Sequence, residues 1–65
     1  MGIKKSLEDR FKAIQDHCRE NHIGLGLEYD PIPDKWMAWD GETELTDQCD
    51  GWEELIEALE VEFDL

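Results

Sequence analysis

Ile23-Gly24-Leu25-Gly26-Leu27-Glu28-Tyr29-Asp30 alternates an apolar residue with a small or acidic one. A period of two belongs to a strand buried on one side only. Asp30-Pro31-Ile32-Pro33-Asp34 cannot extend that ladder, because neither proline has an N–H to donate, and it predicts a turn or short loop. Residues 35–39 return as a second strand, with Trp36 and Ala38 on one side and Lys35, Met37 and Trp39 on the other. The two tryptophans must therefore face apart. With Met37 and Trp39 toward the helices, Trp36 lies over the outward Gly24 and Gly26, where an aromatic ring shields bare backbone. On that reading Trp39 is the buried one. Asp40-Gly41 is the dipeptide of a tight type I′ hairpin. Residues 42–45 then predict a short third strand, an edge protected by Glu42 and Glu44.

The segments on either side change period. Ile3, Leu7, Phe11, Ile14 and Cys18 recur at steps of four, four, three and four, which is helical. Ser6, followed by Glu8 and Asp9, suits the helix start: the hydroxyl can accept an early N–H and the acids oppose the dipole. The opposite face, with Arg10, Lys12, Asp16, Arg19 and Glu20, reads as solvated and laced with local ion pairs. Asparagine, a β-branched residue and glycine follow one another at 21–24 and predict the helix end. Beyond the strands, Trp52, Leu55, Ile56, Leu59 and Phe63 fall within an arc of roughly 100° on a helical wheel. Asp50 with Glu53 three positions on is a capping pattern for this second helix, although a start at Thr46 or Asp47 also fits. The order is helix, two or three antiparallel strands, helix: a single α+β domain across residues 1–65. Both helices can pack on one sheet face, or the second can sit at the sheet edge. The other face then carries Glu28, Asp30 and Trp36 toward solvent.

The charge of this chain is lopsided. Its 65 residues carry a formal charge of −12, with +1 over residues 1–22 and −13 over residues 23–65. Residues 42–65 hold ten carboxylates and no lysine or arginine. Self-repulsion at this density opposes folding, so a purely structural protein gains little from it, and a basic partner is implied. Hydrophobic content of 40% with three tryptophans is too high for a disordered acidic tail. No run of eighteen apolar residues occurs and no secretory signal opens the chain, which predicts a soluble, intracellular protein. Met1-Gly2-Ile3-Lys4-Lys5-Ser6 has the form of a myristoylation signal. So acidic a chain is repelled by anionic membranes, and Ser6 already serves as a cap, so no membrane partner is expected. Cys18 and Cys49 are too few for a disulfide framework and predict two reduced, partly buried thiols.

Catalytic and metal chemistry find little support. Cys18 and His22 are four apart on one helix, but with His17 and Cys49 they match no zinc spacing, and no metal or other cofactor is expected. The acidic run 40–44 lacks the ligand order of an EF-hand. Carboxylate pairs abound, yet nothing marks two as an acid and base in a cleft, and the chain reads as a non-enzyme.

What remains is a row of charge. Glu53, Glu57, Glu60 and Asp64 fall within roughly 60° of one another on the wheel, beside the apolar stripe. Steps of three and four residues set them roughly 4.5 to 6 Å apart along the axis, near the spacing of phosphates on nucleic acid. Acids early in a helix are favoured by the dipole, but Glu57, Glu60, Glu62 and Asp64 are not, and like charges four apart repel. Such a placement suits a surface that imitates phosphates before a basic protein, releasing its bound anions. In size, acidity and mixed α/β character the chain resembles the small phage-encoded anti-CRISPR proteins of the DNA-mimic kind. The resemblance is one of composition and transfers no site residue. It implies an inhibitor in the cytoplasm of a bacterial host, occupying the DNA-binding duplex or PAM surface of a CRISPR effector subunit. The partner surface expected from the residues comprises Glu53, Glu57, Glu60, Asp64, Glu28, Asp30, Glu42, Glu44 and Trp36, on a monomer that binds no DNA or RNA itself. The alternative is an acidic interaction module, an antitoxin or regulatory subunit, that binds through an exposed aromatic patch around Trp36, Ile32 and Met37.

Overall fold

The computed structural model describes residues 6–65. Ile3 and the Gly2 acylation signal lie outside the described residues. The elements are α1 (Leu7–Glu20), β1 (Leu25–Asp30), β2 (Lys35–Asp40), β3 (Thr43–Glu44) and α2 (Trp52–Phe63). The fold is α+β, with an antiparallel sheet in the order β1-β2-β3 and α2 packed on both α1 and β2. The predicted element order stands, and the third strand forms, although it is only two residues long.

Each helix begins and ends for local reasons. Ser6 Oγ accepts the N–H of Asp9 at 3.2 Å, capping α1. At its other end the Ile23 N–H donates to Cys18 O at 2.8 Å and the His22 N–H to Arg19 O, the paired bonds of a Schellman motif. The left-handed seat there belongs to His22, at φ 56°, not to a glycine. α2 closes the same way: Leu65 N–H donates to Glu60 O at 2.8 Å, Asp64 N–H to Val61 O, and Asp64 takes φ 57°. The start of α2 differs from the expected capping box. Gly51 is the N-cap and offers no side chain, while Glu54 Oε2 reaches back to accept the Asp50 N–H at 3.0 Å.

The core lies between α1, α2 and β2. Ile14, Leu55, Ile56, Leu59 and Ala38 are fully buried, and Cys18 and Cys49 nearly so as free thiols. Burying each large aliphatic side chain contributes about 1.5 to 3 kcal/mol. An aromatic chain links the layers: Phe11 meets Trp52 edge-on at 5.0 Å, Trp52 meets Trp36 at 5.4 Å, and Trp36 meets Tyr29 at 4.9 Å. These offset geometries are the ones the ring quadrupoles favour.

This chain of rings reverses the expected orientation of β2. Trp36 and Ala38, not Met37 and Trp39, face the helices, and the small Ala38 lies fully buried where β2 carries α2. Both sides of β2 are apolar, so alternation alone could not choose between them. Trp39 is paired with Gly26 in the register and lies on the open face, the side expected of Trp36.

The turn after β2 is displaced by one residue. Asp40 pairs with Thr43, so the turn is Gly41-Glu42, with Gly41 at φ 60°. Asp40 stays in the strand, and its Oδ1 accepts the Gly24 N–H at 3.0 Å. Glu42 is thus a turn residue and not part of a strand. Beyond β3 the chain keeps following β2 with one interruption. Leu45 N–H donates to Ala38 O at 2.9 Å, and Trp36 and Cys49 exchange two backbone bonds of 2.8 Å. Between these points the buried Thr46 Oγ1 accepts the Ala38 N–H at 3.1 Å, replacing a carbonyl that the ladder lacks there.

Candidate interaction surface

The acid row of α2 faces α1 at its edge. Arg10 of α1 grips Glu60 with two hydrogen bonds, Nε to Oε2 at 3.0 Å and Nη2 to Oε1 at 2.5 Å. This fork-to-fork geometry is the most specific an arginine and a carboxylate can make. The Glu60 hydrogen bond first, and then the charges of Glu57 and Glu53, hold the guanidinium above its usual pKa. Arg10 is therefore no member of a solvated face. Its place at position 10, one residue before the apolar Phe11 and three beyond Leu7, puts it on the border of the α1 stripe, and that was the available signal.

The row is divided by this pairing. Glu60 is half-buried and ties the helices together, whereas Glu53, Glu57 and Asp64 are exposed. Asp64 lies just past the helix in the left-handed seat. Arg10, Glu57, Glu60, Val61, Asp64 and Leu65 line an open depression of about 530 Å³. Val61 and Leu65, 82% and 55% exposed, supply apolar surface beside the charges.

The remaining predicted residues lie elsewhere. In the β1–β2 register Glu28 pairs with Met37 and Asp30 with Lys35, and paired residues share a face. Glu28 and Asp30 are therefore on the open side of the sheet, away from the helices. Glu44 joins them opposite Trp39. Glu28 Oε1 accepts the Trp39 Nε1–H at 3.0 Å, and Asp30 Oδ1 accepts the Ile32 N–H at 3.0 Å. Glu28, Asp30, Lys35, Met37, Trp39 and Gln48 line a depression of about 150 Å³. Lys35, the one cation among the described residues that line that depression, is bonded to Asp50. Trp36 belongs to neither surface, since it lies half-buried between Tyr29 and Trp52. The expected surface is thus two: an acid row with an arginine clamp at the α1–α2 edge, and an acidic sheet face whose aromatic is Trp39. The alternation of residues 35–39 carried the second signal, read in the opposite sense.

Neither surface has the makings of a metal centre. Among the described residues no group of three or more His, Cys, Asp and Glu side chains is placed to hold a metal ion. Burial pushes the Cys18 and Cys49 thiols up, away from the thiolate that ligation or nucleophilic attack needs. Among the described residues no helix is long and apolar enough to cross a membrane. Fold and surface define the class as a small, strongly acidic α+β domain. The sequence matches no protein-family model, no curated protein and no solved structure.

Proposed function

We propose that this chain is an inhibitor that mimics nucleic-acid charge and occupies the DNA-binding, PAM or duplex, surface of a bacterial CRISPR effector or a similar defence complex. One observation carries the reading. The exposed Glu53, Glu57 and Asp64 share the α2 edge with Glu60, and the bidentate Arg10 clamp fixes that edge against α1. With the helix that carries them fixed against α1, only the side chains of Glu53, Glu57 and Asp64 are left to be ordered on binding. Among the described residues one guanidinium, that of Arg10, offsets four carboxylates there.

The deciding experiment reverses the exposed charges and leaves the clamp alone. Glu53→Lys with Glu57→Lys takes the formal charge from −12 to −8, two units per reversal, and retains Glu60 for Arg10. In competition for a purified CRISPR effector complex, the parent should displace target DNA with a potency that falls steeply with salt, and the folded double variant should fail. A double variant that competes as well as the parent, or a parent that itself shifts DNA in a gel, removes the reading.

A second reading, an acidic interaction module acting through an aromatic patch, is favoured by the Trp39–Met37 depression on the open sheet face. Binding through that patch would be nearly indifferent to salt and sensitive to Trp39→Ala.

A further inference from the structure

β1 is an edge strand: β2 pairs with one side of it, and among the described residues no segment pairs with the other. A bare edge presents unpaired N–H and C=O groups to any extended chain. The helix side of β1 is also unfinished. Because α1 docks mainly on α2, Leu27 and Tyr29 remain 39% and 46% exposed although they point to the same side as the buried Ala38. Between α1 and β1 runs a groove of about 390 Å³, walled by Phe11, Gln15, Cys18 and Arg19 on one side and Leu25 and Leu27 on the other.

We infer that the β1 edge and this groove receive a fourth strand from the target, an extended segment that alternates apolar residues with lysine or arginine. The inference rests on the target being a basic protein, as proposed above. Strand geometry dictates the alternation. Residues of an added strand opposite Leu25, Leu27 and Tyr29 point toward the groove, where apolar side chains are required. Residues opposite Gly26, Glu28 and Asp30 point to the open face, where two carboxylates and the bare Gly26 favour long cationic side chains. Arg19, the cation in the groove wall, lies within 3.5 Å of Asp16 and faces the apolar set, not the basic one. Glu28 and Asp30 disfavour a second copy of this chain at the same edge, because two such strands would gather four carboxylates on one face between molecules of −12 each. The charge that guards the edge against self-association selects a basic strand.

The test uses the full chain, labelled with ¹⁵N, and a six-residue peptide alternating valine and lysine, matched to the length of β1. The peptide should shift the Leu25–Asp30 amide resonances and slow exchange of the outer-edge amides about tenfold. The same peptide N-methylated along one edge should lose that effect. Leu27→Asp, at an exposed position, should weaken binding about tenfold while leaving the spectrum folded. If shifts appear at Glu53 and Glu57 only, and the N-methylated peptide binds equally, the strand inference is overturned and the charge reading stands. Shifts at β1 produced by concentrating the protein without peptide would assign the edge to a second copy and overturn it also. Loss of DNA competition in the Glu53→Lys, Glu57→Lys variant tests the other surface and is independent of either result.

Discussion

Trp39 lies directly across the β1–β2 pair from Gly26, on the sheet face turned away from the helices. Its Nε1–H is held by Glu28 at 3.0 Å. Trp36, three residues earlier and on the other face, is built into the aromatic chain that joins β1, β2 and α2. The two tryptophans should therefore respond differently to truncation. Trp36→Ala is expected to cost about 3 kcal/mol and Trp39→Ala about 1 kcal/mol, read from urea denaturation. The reverse order would mean that β2 presents its other face to the helices.

Both helices end with a side-chain-bearing residue in the left-handed region, His22 at φ 56° and Asp64 at φ 57°. A Cβ there is unfavourable by about 1 to 2 kcal/mol, and glycine's greater freedom in the unfolded chain returns part of that difference. His22→Gly and Asp64→Gly should each stabilise the domain by about 0.5 to 1 kcal/mol. Thermal melts of the two single variants and the double variant check this, and additivity is expected because the sites close separate helices.

Thr46 stands in for a missing carbonyl. Its buried hydroxyl is the acceptor for the Ala38 N–H, in the middle of the central strand. Thr46→Val keeps the shape and removes the acceptor, leaving a buried donor unpaired, and should cost about 1 to 3 kcal/mol. Thr46→Ser should recover most of that loss. Equal stability of the valine and threonine proteins would show that the donor finds another partner.

High pH should destabilise the fold. Desolvation by burial raises the Cys18 and Cys49 thiols, and the hydrogen bond to Asp34 raises the Tyr29 phenol. A group whose folded pKa lies above its unfolded value contributes stability that is complete below the unfolded pKa and is lost as pH rises through the folded one. Urea midpoints should thus decline once pH climbs above about 8.5, the onset of thiol ionisation in an unfolded chain. Rapid modification of both thiols by a disulfide reagent at neutral pH, with the protein folded, would contradict that burial.

Part of this architecture was legible because it is local. Steps of three and four in Leu7, Phe11, Ile14 and Cys18, and in Trp52, Leu55, Ile56, Leu59 and Phe63, specify helices from within single turns. The alternation from Ile23 to Asp30 specifies a strand from adjacent residues, and the Ser6 cap needs only Asp9. The polyanionic character of residues 42–65 is likewise a matter of counting. Other features required partners that the sequence keeps far apart. Arg10 and Glu60 are separated by 50 positions, and each alone reads as a solvated charge until packing of the two apolar stripes brings them together. The facing of β2 was decided by volume: both of its sides are apolar, and the space beside α2 accepts Ala38 and an edge-on Trp36. The exposed side of β1 has the same origin. Amphipathic α1 found its partner in α2, so Leu27 and Tyr29, written as core by their alternation, were left uncovered. Periodicity states which side of an element is apolar, and only competition among all the apolar sides for a limited interior settles which of them is buried.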